Sequence, residues 1–71
     1  MEHFIDIDDG KKVLRCVIAF GTTFSATTIA EIRQLAQEAF PEVTDLDNEI
    51  ELSAYTSCCG DIIMQLSEKV K

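Results

Sequence analysis

Cys58 and Cys59 are neighbours in the chain and are followed by Gly60 and Asp61. Two adjacent thiols could form a redox couple, ligate a metal together with His3 or Asp61, or carry an acyl group. Each use asks for something more than the pair itself. Neighbouring cysteines chelate poorly compared with cysteines spaced two residues apart, no second cysteine pair is present, and a disulfide between neighbours strains the peptide joining them. The simplest reading puts one of the two in the core as a small apolar side chain and leaves the other incidental. Cys58 and Cys59 are the candidate thiol site, with no metal and no cofactor expected.

His3 and Cys16 fall on stretches that would face each other across a hairpin, which raises a Cys–His nucleophile. Such a pair needs a cleft, a third group to orient the imidazole, and donors for an oxyanion. A three-stranded sheet offers none of these, and His3 sits at a terminus prone to fray, so both residues read as structural. Asp6, Asp8 and Asp9, and again Glu49 and Glu51, fall at strand or turn positions expected to be wet. They read as a solvated acidic face, because acid–base catalysis needs two carboxyls whose surroundings push their pKa values apart. The chain carries no phosphate-binding glycine loop, nucleophile elbow or metal-binding helix motif. No catalytic residue is expected and the chain is read as a non-enzyme; the credible enzymatic exception is the small subunit of a larger enzyme.

Charge points instead to partners. The formal net charge is −7, and no Lys or Arg lies between Arg33 and Lys69, while Glu38, Glu42, Asp45, Asp47, Glu49, Glu51, Asp61 and Glu68 all do. One region must therefore carry a negative potential, which repels phosphate backbones and argues against direct nucleic-acid binding. The cysteine count is three, an odd number that suits a reducing compartment better than a secreted disulfide framework. The longest apolar run, Cys16 to Phe20, is strand-sized, and Met1-Glu2-His3 has no basic character, so neither a membrane span nor a secretory leader is expected. The expected location is the cytoplasm, without membrane association.

At 71 residues with 46% hydrophobic and 27% charged side chains, residues 1–71 read as a single globular domain with one core, burying only about 60% of the unfolded surface. His3, Ile5 and Ile7 alternate with Phe4, Asp6 and Asp8, which predicts a strand. Asp9-Gly10 suits a two-residue turn whose central residues both take positive φ. The partner strand then runs from Lys12 to Phe20, with Asp8 opposite Lys11, Ile7 opposite Lys12, Ile5 opposite Leu14 and His3 opposite Cys16. That register collects Ile5, Leu14, Cys16, Ile18 and Phe20 on one face. Val13 and Val17 fall on the other face beside Arg15, so that face is either partly covered or used for contact.

A helix follows Gly21-Thr22-Thr23, capped by Ser25 with Phe24 stapled to Ile29, or by Thr28 in a capping box with Glu31. Ile29, Ile32, Leu35, Ala36, Ala39 and Phe40 form its apolar stripe, and Pro41 ends it near Ala39 or Phe40. Residues 41–48 read as an acidic connection. A third strand alternates Glu49, Glu51, Ser53 and Tyr55 with Ile50, Leu52 and Ala54, and sends the second set toward the helix. Residues 61–71 read as a helix with Ile62, Ile63, Leu66 and Val70 on one side and Lys69 and Lys71 at its end, or as a strand alternating Ile62, Met64 and Leu66.

The expected fold is α+β: a three-stranded, mostly antiparallel sheet with helices on one face in the order β-β-α-β-α, or β-β-α-β-β on the strand reading. The expected function is a non-enzymatic interaction module, a small adaptor, inhibitor or regulatory protein. Glu42, Asp45, Asp47, Glu49 and Glu51 would dock on a basic partner surface, with Tyr55 as an aromatic anchor. Two alternatives are an acidic mimic of nucleic acid that inhibits a nucleic-acid-binding protein, as phages and mobile elements can encode, and a thiol or metal module built on the vicinal cysteines. Phe4, Val13 and Val17 are the candidate homodimer face, because the sheet's second side has no obvious cover.

Overall fold

A computed structural model of the chain describes residues 1–69. The sheet has four strands, β1 (Glu2–Asp8), β2 (Lys11–Ile18), β3 (Ile50–Thr56) and β4 (Ile62–Glu68), in the spatial order β1-β2-β4-β3 with every neighbouring pair antiparallel. Helices α1 (Ala26–Ala39) and α2 (Leu46–Glu49) lie between β2 and β3 in the chain. The α+β class therefore holds, with four strands in place of three, because residues 62–68 form a strand. The alternation of Ile62, Met64 and Leu66 prevails over the helical propensity of Gln65 and Glu68, since β4 is a central strand with Met64 and Leu66 buried under α1. Val70 and Lys71, which the helical reading used, lie outside the described residues.

The first hairpin has the register that its turn residues dictate. Asp9 and Gly10 sit at φ 52° and 77°, and His3 pairs with Cys16, Ile5 with Leu14, Ile7 with Lys12 and Asp8 with Lys11. Leu14, Cys16 and Ile18 of β2 then meet Ile32, Ala36, Ala39 and Phe40 of the helix in one core that Val43, Ile50, Met64 and Leu66 complete. Phe20 does not join it. The strand ends at Ile18, and Phe20 sits in a turn with 78% of its surface exposed.

Helix α1 starts at a Ser25 cap, whose hydroxyl accepts from the Thr28 amide, so Ser25 and not Thr28 is the cap. Phe24 and Ile29, the staple positions, line one groove. The last turn has no basic residue of its own, and Lys12 of β2 fills that role: its Nζ donates to the Ala39 carbonyl at 2.8 Å and sits 5.7 Å from the Phe40 ring centre. An unpaired carbonyl and the negative end of the helix are satisfied from the sheet.

One 14-residue helix cannot roof four strands. It covers β2 and β4 and leaves both edges bare: every residue of β1 is exposed, and in β3 only Ile50 is buried. Leu52 and Ala54, which the alternation sends toward the helix, are therefore exposed on the helix side of an edge strand. None of the helices in the described residues is long and apolar enough to cross a membrane.

Candidate functional site

The acidic stretch is built around the path from α1 into β3. Phe40 ends the helix, and Gln37 holds the turn after it by donating from Nε2 to the Val43 carbonyl at 3.0 Å. Val43 is buried, so the chain is anchored just before the carboxylates begin. Residues 41–48 are not all connection: Leu46 to Glu49 make a short helix, and Glu49 belongs to it rather than to β3.

Several of the five carboxylates are occupied locally. The Glu49 carboxylate accepts from the Asp45 amide at 2.9 Å, Asp45 accepts from the Asn48 side chain at 2.7 Å, and Asp47 pairs with Arg33 at 2.6 Å. The hydrogen bond and charge of Asp47 push the already high pKa of Arg33 further up. Glu42 and Glu51 are exposed and make no ion pair within 4.0 Å among the described residues. Glu42 and Glu51 are thus the carboxylates best placed to meet an outside cation.

The five do not share one face. Asp47 stands at the rim of an apolar groove of about 360 Å³ between α1 and the sheet, lined by Phe24, Ile29, Leu46, Leu52 and Met64 among others. Glu51 points to the opposite, open side of the sheet, where it borders a second groove with Asp8, Asp9 and Lys11. Residues distant in sequence, the tip of the first hairpin and the start of β3, therefore supply carboxylates to one place. What joins the two sides is the free edge of β3.

Tyr55 lies further along the open side of β3 and is 48% exposed, in register with Ile63 of β4 and, beyond it, Val17 of β2. Phe4 is exposed on the same side of the sheet, Val17 is half-buried and Val13 is buried. Arg15 accounts for part of this cover. Its guanidinium lies along the open face to pair with Asp6 and, at 3.7 Å, with Asp8.

The thiols fall in two environments. Cys16 is wholly buried opposite the exposed His3. Burial, reinforced by the charge of Glu31, pushes its thiol up from the ordinary value of 9.0, with a smaller opposing effect from the chain's amino terminus. That keeps it protonated and out of reach of a substrate. Cys58 and Cys59 form the tip of the β3–β4 hairpin, both exposed, with their sulfurs 3.6 Å apart. Neither enters the core, because the hairpin carries them past the end of α1's cover. The Ser57 hydroxyl accepts from the amides of Cys59 and Asp61, and Asp61 in turn accepts from the Phe20 amide at 2.9 Å. The described residues hold no group of three or more His, Cys, Asp or Glu placed to bind a metal.

Comparison with protein-family models, with curated proteins and with solved structures returns no match.

The edge position of Leu52 is the feature that sequence reasoning missed. The third strand's alternation is visible locally, but its place at the sheet's edge depends on β4 inserting beside β2, a pairing between residues 14–18 and 62–66.

Proposed function

We propose that this chain is a non-catalytic protein-interaction module that docks on a basic surface of another protein. Its docking surface runs from Glu42 around the free edge of β3 to Glu51 and Tyr55. The observation that carries the reading is an edge strand that exposes Glu51, without an ion pair among the described residues, together with Leu52 and Tyr55, while Glu42 is likewise exposed and without an ion pair among the described residues in the turn after α1. Exposed charge speeds encounter and selects the sign of the partner, while aromatic and apolar contacts supply most of the affinity. Asp45 and Glu49 serve mainly to shape residues 44–49, and Asp47 adds its charge at the groove rim.

Capture from a lysate of the source cells tests the reading, using the tagged protein and a Glu42→Gln, Glu51→Gln variant with washes at low and high salt. The expected result is a partner with a basic surface, held at low salt, released at high salt and poorly captured by the variant. A partner held equally by both proteins at high salt contradicts it.

A further inference from the structure

Which backbone groups of β3 face outward follows from two hydrogen bonds. The Lys69 amide donates to the Glu49 carbonyl at 2.8 Å, and the Ser57 amide donates to the Asp61 carbonyl at 2.8 Å. Both pairs belong to the one unbroken register that joins Ile50 to Glu68 and Thr56 to Ile62. In an antiparallel ladder hydrogen-bonded pairs alternate with non-bonded ones. Glu51, Ser53 and Tyr55 therefore bond inward to β4, and Leu52 and Ala54 turn their N–H and C=O groups out from the sheet with no strand beyond them.

This edge lacks the usual guards. Edge strands are commonly protected by proline, lysine, a bulge or a covering loop. β3 reads Ile-Glu-Leu-Ser-Ala-Tyr-Thr, pairs without a bulge, and has Glu51 as its one charge. The other edge, β1, carries Glu2, Asp6 and Asp8 and contributes no residue to the lining of the apolar groove. On the helix side of β3, Leu52, Ile29 and Phe24 are all about half exposed and line the same apolar groove.

We propose that β3 accepts a fifth strand: an extended segment of a partner protein that alternates apolar and basic side chains. Its backbone pairs with Leu52 and Ala54. Residues opposite those two share their side of the sheet and reach over Leu52 toward Ile29 and Phe24, so they are apolar. The intervening residues face the open side, where the one opposite Glu51 is basic. Charge selects this occupant over a second copy of the chain, since each copy carries a net charge of −7 and has Glu51 as the one charged residue of the edge strand itself. The inference rests on the docking function proposed above and specifies the form of its ligand.

The probe is a capped octapeptide of alternating valine and lysine, titrated into isotopically labelled protein while amide hydrogen exchange is followed. Saturation is expected to slow exchange at Leu52 and Ala54 by about tenfold or more and to leave Ile5 and Ile7 of β1 unchanged. Ala54→Pro removes one outward N–H without touching the inward ladder and is expected to abolish binding with the β4 resonances in place. Should that variant fail to fold, the same peptide N-methylated at its valines carries the test against the unmodified protein, with the same loss expected.

Absence of binding, or binding unaffected by N-methylation, overturns the strand addition. Salt-sensitive binding that leaves Leu52 and Ala54 exchanging freely overturns it while the acidic docking function stands. Protection of both amides with no dependence on salt or on Glu51→Gln keeps the fifth strand but removes its basic character and with it the docking function. Protection that grows with protein concentration alone assigns the edge to a second copy and overturns the proposal.

Discussion

The backbone of Glu49 accepts from that of Lys69 at 2.8 Å, and this bond sets the inward or outward sense of every peptide group along β3. Amide exchange in the free protein should therefore alternate. Glu51, Ser53 and Tyr55 are expected to be protected by their bonds to β4, and Leu52 and Ala54 to exchange near the rate of an open chain. A uniform profile along residues 51–55 would mean that β3 has another register or is already covered.

Gly60 is held by two constraints at once. Its φ of +88° is a region that L side chains rarely adopt, and a Cβ there would lie 3.0 Å from Cδ2 of Phe20. Gly60→Ala is expected to cost about 1–2 kcal/mol, read from denaturant unfolding. Phe20→Ala should recover the steric part of that cost and leave the backbone part. Equal losses with and without the Phe20 ring would show that the contact contributes nothing.

Cys16 gives a pH dependence with a definite sign. Its folded pKa is raised by burial and by Glu31 above the ordinary 9.0, so the native state holds its proton more tightly than the unfolded chain. The contribution is fully present below about pH 9 and is lost as pH climbs from there through the higher folded value. Relative to Cys16→Ala, the native protein is expected to lose stability more steeply in that alkaline range. At neutral pH a thiol reagent should label Cys58 and Cys59 and spare Cys16 until the chain unfolds.

Much of the fold was legible because local signals agreed with one another. The Asp9-Gly10 turn, the alternation from His3 to Asp8 and the apolar positions of β2 all demand one register, and Ser25, Phe24 and Ile29 together mark the start of α1. Residues 61–68 are ambiguous in sequence for a physical reason: Ile62 falls on the helix side and Ile63 on the open side between Val17 and Tyr55, so apolar residues occur on both faces and the alternation is blurred. The acidic residues were readable as charge but not as geometry. That Glu49 folds back on the Asp45 amide depends on the short helix α2, and that Asp8, Asp9 and Glu51 border one groove depends on the strand order.

Arg33 tempers the acidic surface through its pairing with Asp47. Both partners are largely exposed, so Arg33→Gln should leave the unfolding midpoint nearly unchanged. It should strengthen capture of a basic partner and steepen its salt dependence, because Asp47 is then uncompensated at the groove rim. Weaker capture by this variant, measured by titration calorimetry, would place Arg33 itself in the interface.

The most direct measurement is site-specific photo-cross-linking in the source cells, with a photoreactive residue at Glu42, at Tyr55, or at Gln34 on the exposed side of α1. Positions 42 and 55 are expected to trap the same protein in a salt-sensitive manner, and position 34 to trap none. Capture of that protein from position 34, with positions 42 and 55 silent, would contradict the assignment of the docking surface to the acidic edge of β3.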